Sequence, residues 1–338
     1  MNLAQVTKTR IRTLEKVLNK AYAVAQSEIH AKWKAYMDKA GKEIAGLQDA
    51  YDAAKAAGDA QQTRQLGIRL ANAKRMRTIM DERYQALLDD ITTRLSDANA
   101  VAVAYANRDM AFFYALNYNT LEKVAARYGI SFKLVNEDVV RRLATRGEVV
   151  LPKRRLSVPK DRRWNMKQIN SSLLQGILQG ESMDKIADRI LPVVDNNRKS
   201  AIRAARTMVT GAECSGRIDG YRDLEERGLI QRKVWIATPD DRTRPSHIDI
   251  DGEEQEIDMP FSNGLMYPGD PNGDAAEVWN CRCTLGDHII GFRRADGSIS
   301  TVQGDHGRTL HHEQMDAERA RREALGHGRA KEKDQHKD

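Results

Sequence analysis

Apolar residues recur along the first hundred positions in steps of three and four. Ile11, Leu14, Leu18, Tyr22, Ala25, Ile29, Trp33 and Tyr36 make one series, and Leu66, Leu70, Ala73, Met80, Tyr84, Leu87, Ile91 and Leu95 a second. Such spacing lines one face of a helix, which turns once every 3.6 residues. Gly41, Gly46 and Gly58 punctuate the stretch between the series, so the pattern predicts two long helices returning on each other as a hairpin or bundle. A third helical region is expected from Ala98 to about Tyr128, closed by Gly129, since glycine best tolerates the left-handed cap position. All eight prolines lie at or beyond Pro152, which leaves the first 151 residues free of the strongest helix breaker. The stripes are rich in Ala and Tyr rather than Leu, which suits packing against neighbouring helices or another protein better than a self-sufficient coiled coil.

The texture changes at Leu151. The segment LPKRRLSVPKDRRWNMK holds seven positive charges, one negative, two prolines and a tryptophan, and reads as an exposed basic connection. Helical spacing returns with Met166, Ile169, Leu173 and Ile177. Ser182 is placed to cap a short helix that Pro192 stops, and Asn196 or Asn197 to cap a longer one running to Glu226 and closed by Gly228. Beyond Gly228 the pattern is that of short strands and loops. Lys233–Ala237 is an apolar run, Asp251-Gly252 suggests a hairpin between His247–Ile250 and Glu253–Ile257, and Asp296-Gly297 suggests another after Val278–Leu285. The expected fold is α+β: a helical domain over 1–150, a basic linker over 151–167, a helix-plus-small-antiparallel-sheet module over 168–304, and a polar, partly disordered tail over 305–338.

Composition narrows the classes. With 338 residues, 41% hydrophobic and 30% charged, the chain is long enough for two domains, and no stretch approaches the roughly 18 apolar residues of a membrane span. The opening MNLAQVTKTRIRTLEK has no apolar core of a signal peptide, so synthesis in the cytoplasm is expected. Three cysteines are too few for a disulfide framework, and reduced thiols are expected, with Cys214 in the core among the small residues of GAECSG. The net charge of +7 is unevenly spread. Residues 151–206 carry 13 Lys and Arg against 5 acids, whereas 207–305 carry 10 against 19. Lys153, Arg154, Arg155, Lys160, Arg162, Arg163 and Lys167 are therefore the candidates for non-specific contact with double-stranded DNA, with Trp164 able to stack on a base. A solvated linker or a contact with an acidic protein accounts equally well for such a run.

The common routes to catalysis are missing: the sequence has no Walker loop, no GxGxxG after a strand, no GxSxG elbow and no HExxH. Asp249-Ile-Asp251-Gly252 lacks the glycine and glutamate positions of a calcium loop and reads as a turn. Cys281 and Cys283 stand at i and i+2, which on a strand puts both sulfurs on one face. His247 is a third possible zinc ligand, one short of the four of a structural site, so no metal and no cofactor is assigned. An alternative reading is an enzyme, a metal-dependent nuclease or a protein-modifying activity centred on His247 with Asp241 or Asp251.

One ordered constellation goes further. Gln175-Gly176-Ile177, Gly180-Glu181-Ser182, Ala204-Ala205-Arg206-Thr207, Val234-Trp235-Ile236, Asp241-Arg242-Thr243-Arg244-Pro245-Ser246-His247, Asp251-Gly252, Phe261, Pro268-Gly269-Asp270-Pro271 and Asn280-Cys281-Arg282-Cys283 follow one another between residues 166 and 286. This series resembles the MuF-like head morphogenesis family, the minor capsid proteins of tailed phages. Two features depart from the family pattern: Met208 follows Arg206-Thr207 where an acid is usual, and no cysteine pair precedes the final Cys-Arg-Cys. The resemblance implies a non-enzymatic protein inside the capsid near the portal, assisting head assembly and genome packaging or ejection. The expected partners are the portal protein, scaffold or major capsid protein, and phage DNA, with no membrane. Some relatives carry toxin or ADP-ribosyltransferase domains after this module, and the fifty or so residues beyond Leu285 read as too short and too polar for one. Arg206, Arg242, Arg244 and Arg282 are expected to hold the module together through Asp241, Asp251 or backbone carbonyls, with phosphate contact the sharper alternative. Trp235 and Trp279 are expected to cover the sheet.

Overall fold

The structure, a computed structural model, describes residues 3–76, 82–179, 181, 183–238, 240, 242–294 and 296–302. The expectations resting on Met80, Gly180, Ser182, Asp241, the side chain of Ile177 and the tail from Asp305 onward fall outside the residues or side chains described. The described chain runs α1 (Leu3–Ala56), α2 (Ala60–Met76), α3 (Glu82–Asn119), α4 (Glu122–Arg127), α5 (Glu137–Arg146), α6 (Val158–Leu178), α7 (Met183–Asp188), α8 (Leu191–Glu226), β1 (Leu229–Ile236), α9 (Pro245–Ile248), β2 (Glu254–Gln255), α10 (Ala275–Val278), β3 (Thr284–Arg293) and β4 (Ile299–Thr301). This is the α+β fold expected from the periodicity. None of the described helices is long and apolar enough to cross a membrane.

The helices are longer and fewer than the punctuation suggested. Helix α1 continues through Gly41 and Gly46 for 54 residues, because a helical glycine costs only about 1 kcal/mol relative to alanine, and the chain turns only at Gly58, whose φ is +72°. The second stripe is divided between α2, which carries Leu66, Leu70 and Ala73, and α3, which carries Tyr84, Leu87, Ile91 and Leu95 and runs on into the third predicted helix as far as Asn119. Two compact units emerge, each assembled from separate stretches: one from residues 1–11, 106–154 and 203–338, the other from 12–105 and 155–202.

In the second unit the predicted α1 stripe is buried from Leu14 through Trp33, and Met37 continues the buried face in place of the half-buried Tyr36. It is joined by Tyr84, Ile91 and Leu95 of α3, Ile169 and Leu173 of α6, and Val193 and Val194 of α8. A chain of amides threads this core. Tyr22 donates to Asn99 (2.6 Å), Asn99 to Asn197 (2.9 Å), and Asn197 to Asn165 (3.0 Å) and to the Val193 carbonyl. Asn197 is therefore an interior partner rather than a cap. Helix α8 starts at Leu191 instead, with Pro192 in its first turn, where the missing N–H needs no partner. For the same reason Pro159 opens α6, and the latter half of the expected exposed connection is helical, with Asn165 and Ile169 turned inward. The earlier half is fastened too: Pro152 is buried, and the Asn107 side chain, in the first unit, pairs with both the N–H and the carbonyl of Arg154.

The first unit contains the sheet, ordered β2-β1-β3-β4 and antiparallel throughout, with a bulge in β3 where Ile290 is the extra residue opposite Ile230/Gln231. Tyr114 and Tyr118, one turn apart on α3, donate to Asp219 (2.7 Å) and Asp223 (3.1 Å), one turn apart on α8. The buried Arg217 of α8 reaches Asn117 (2.8 Å), the Leu285 carbonyl (2.9 Å) and Thr284. The predicted hairpin around Asp251-Gly252 is not formed, because Pro245–Ile248 is a turn of helix rather than a strand. Gly252 (φ +86°) brings the chain back so that its N–H meets the Trp235 carbonyl at 2.8 Å. Thr284–Arg293, not Val278–Leu285, forms the long strand, and the Asp296-Gly297 turn leads into β4 as expected.

Lys233 on β1 is fully buried, its ammonium donating to the Ile257 and Met266 carbonyls (2.9 Å each) above the Phe261 ring. Burial lowers its pKa from 10.5 to about 8. Between those values the unfolded chain holds a proton that the folded chain has lost, so stability rises with pH across that window. The contribution is flat on either side of it. The stability difference between wild type and Lys233→Met is expected to shift in favour of wild type by up to about 3 kcal/mol from pH 8 to 10.5, measured by urea unfolding.

Candidate functional site

The resemblance-bearing residues beyond α8 converge at one end of the sheet-bearing unit, where the loop after β1, helix α9 and the segment before β3 meet α8. The loop is held by side chains. Asp251 accepts from the Ala237 N–H (2.8 Å), Thr238 donates to the Arg282 carbonyl (2.6 Å) and Thr243 to the Thr238 carbonyl. Arg282 forms a two-pronged pair with Asp240, one prong at 2.6 Å, and the guanidinium holds that carboxyl well below its usual range. Arg242 stands 3.6 Å from Asp240, and Arg244 donates to the Trp279 carbonyl. The acid that joins the arginines is thus Asp240, next to the expected Asp241, and Asp251 serves a backbone amide. Arg206 is exposed on α8.

Helix α8 grips the other side. The hydroxyl of Thr207 accepts from the Asn280 N–H (3.1 Å), and that of Thr210 donates to the Cys281 carbonyl (3.1 Å). Asn280 adopts a left-handed φ of 60°, the one non-glycine to do so among the described residues, which turns the chain into the Cys-Arg-Cys segment. Trp235 is fully buried, but Trp279 is 42% exposed and does not cover the sheet.

Residues 281–283 are extended without being part of a strand, and the alternation expected of a strand still holds. Cys281 and Cys283 both point inward to His247, with Sγ atoms 3.6 and 3.5 Å from its Nδ1, while Arg282 points out to Asp240. All three are buried, and the Trp235 ring meets His247 edge to face at 5.0 Å. Nε2 of His247 lies 2.9 Å from Glu277 Oε2 of α10, not aligned for a hydrogen bond, and Ser246 donates to the same oxygen at 2.9 Å. A hydrogen bond from the neighbouring thiol and the His247 ring favour ionisation of Cys283, and the proton so retained, together with burial, pushes Cys281 up. Cys214 is a separate core thiol whose pKa burial raises to about 12.

Residues 167–286 match the family model described as Phage Mu protein F like protein. Over this segment, about a third of the chain, the sequence is MuF-like. Over 238 residues the chain is 26% identical to the minor head protein GP7 of Bacillus phage SPP1, covering 65% of this chain and 75% of that protein. Over 184 residues, 53% of this chain, it is 31% identical to the NAD(+)–arginine ADP-ribosyltransferase EFV of Enterococcus faecalis (strain ATCC 700802 / V583), spanning 37% of that relative's length. No solved structure matches.

Arg242, Arg244 and Arg282, with Thr207, Thr238 and Thr243, are thus engaged with the backbone and acids of the same segment. The enzymatic alternative placed His247 beside an acid, but the ring is 1% exposed, with Nδ1 turned to sulfur and Nε2 to Glu277. Glu277, Asp240 and Arg217 were not singled out from sequence. Glu277 and Asp240 each meet partners more than thirty positions away, and Arg217 reads as one more polar residue on a long helix.

Of the DNA candidates, Lys153 and Arg154 lie in the sheet-bearing unit, and Arg155, Lys160, Arg162, Arg163 and Lys167 in the helical one. Lys153, Arg155, Lys160, Arg163 and Lys167 are exposed, whereas Arg162 pairs with Asp89 and the half-buried Arg154 is fixed by Asn107.

Arg282→Ala is expected to cost about 1 kcal/mol, allowing for the partial exposure of the pair. Because Asp240 is depressed in the folded state, its contribution is present above the ordinary carboxyl pKa and is lost as pH falls. Wild type and variant should therefore differ in thermal midpoint at pH 7 and begin to converge only as pH falls below about 4.

Proposed function

We propose that this chain is a structural minor head protein of a tailed phage, carried inside the capsid near the portal, where it assists head assembly and genome packaging or ejection. The observation that carries the reading is the match to SPP1 minor head protein GP7, which runs through 75% of that protein and extends beyond the MuF-like module. The match to the transferase-named relative spans 37% of its length, which favours the structural reading over a protein-modifying one. The long helices supply surface for portal, scaffold or major capsid protein. The exposed cations Lys153, Arg155, Lys160, Arg163 and Lys167 supply non-specific contact with packaged double-stranded DNA through its phosphates.

Two measurements test this. Phage lacking the gene are expected to yield particles with reduced infectivity per assembled head, and unchanged infectivity contradicts the assignment. The purified chain is expected to bind duplex DNA of unrelated sequences alike, with affinity falling steeply with salt. Replacing the five exposed cations by alanine should weaken binding at least tenfold and flatten the salt slope. Binding unaffected by salt or by the substitutions removes DNA from the list of partners.

A further inference from the structure

We propose that His247, Cys281 and Cys283 form a binding site for one zinc-like soft divalent cation, held through Nδ1 and the two Sγ atoms. Cys281 and Cys283, on the segment before β3, lie 34 and 36 positions from His247 on α9, yet the three donors all lie within 4.8 Å of one another. With Zn–S bonds of about 2.3 Å and Zn–N bonds of about 2.0–2.1 Å, tetrahedral geometry puts sulfur and nitrogen about 3.6 Å apart. The observed separations from Nδ1 are 3.6 and 3.5 Å. Both nitrogen-to-sulfur separations are therefore those of ligands on a tetrahedral ion.

The surroundings of the histidine point the same way. A metal-bound imidazole presents one nitrogen to the ion and the other to a carboxylate, which fixes the ring and raises its basicity. Here Nδ1 faces the sulfurs and Nε2 faces Glu277, whose carboxylate is positioned by Ser246. Two thiolates carry the charge that a divalent cation neutralises, and thiolate with imidazole selects zinc over magnesium or calcium. The cluster is buried under Trp235, and Thr210 and the Arg282–Asp240 pair brace the cysteine segment from outside. Water takes the fourth position. The bound ion ties the loop after β1 to the segment before β3, so its role is to stabilise this end of the module. This inference stands apart from the head-protein reading, and neither falls with the other.

The test is cobalt(II) titration of the full, reduced, metal-stripped chain. A thiolate-to-cobalt charge-transfer band that saturates at one equivalent and is abolished by zinc is expected. Sulfur ligation separates this site from the histidines of the C-terminal tail, where His306, His311, His312, His327 and His336 can give no such band. Cys281→Ser/Cys283→Ser should lose the band, Cys214→Ser should keep it, and His247→Cys should keep it with greater intensity. Zinc at a hundredfold excess over its Kd should raise the thermal unfolding midpoint of wild type by about 5–10 °C and leave the double-serine variant unmoved. Folded wild type without the band, or a band that survives in the double-serine variant, overturns the proposal. Should that variant not fold, the wild-type and His247→Cys titrations still decide.

Discussion

Helix α8 can take its place in the sheet-bearing unit only because it lacks side chains where other backbone crosses it. A Cβ on Gly216 would meet the Tyr114 carbonyl oxygen at 2.4 Å, and one on Gly211 would meet the Gly269 carbonyl oxygen at 2.5 Å. Both obstacles are backbone, which cannot yield as a flexible side chain can. With α8 seated this closely, Tyr114 and Tyr118 reach Asp219 and Asp223, Arg217 reaches the start of β3, and Thr207 and Thr210 reach the Asn280–Cys281 segment. The geometry of the histidine and cysteine cluster is thus set from the helix, two steps away from the residues that form it.

Burying charge in such a unit is costly unless each donor is matched. Arg217 meets that condition with three acceptors and Lys233 with two carbonyls and an aromatic face. Arg282 and Asp240 meet it at the edge of the cluster with a bidentate fork. Each of these pairs joins segments distant in sequence. Thr207, Thr210, Thr238, Asp251 and the Arg282–Asp240 pair together fasten the loop after β1, helix α8 and the segment before β3 to one another.

How much of this was legible in the sequence follows the range of the interactions. Local periodicity placed the α1 stripe from Leu14 to Trp33, and turn chemistry placed Gly228 and the Asp296-Gly297 turn, because both depend on neighbours within a few positions. Gly41 and Gly46 misled, since glycine weakens a helix without ending it. Asn197 misled in the other direction: its side chain prefers a cap when considered alone, yet its partners Asn99 and Asn165 come from other helices. At the cluster, the i and i+2 spacing of Cys281 and Cys283 gave their common face, and His247 was identified as a third donor. Glu277, Asp240 and the grip of Thr207 depend on folding across thirty to seventy residues, and no periodicity records them.

The assignment to the phage head is tested most directly by quantitative mass spectrometry of purified full particles and of particles emptied of DNA. The chain is expected in full particles at a fixed stoichiometry well below that of the major capsid protein. Comparison with emptied particles shows whether it stays with the shell or leaves with the genome. Its absence from full particles, with the protein present in the infected-cell lysate, would contradict the account.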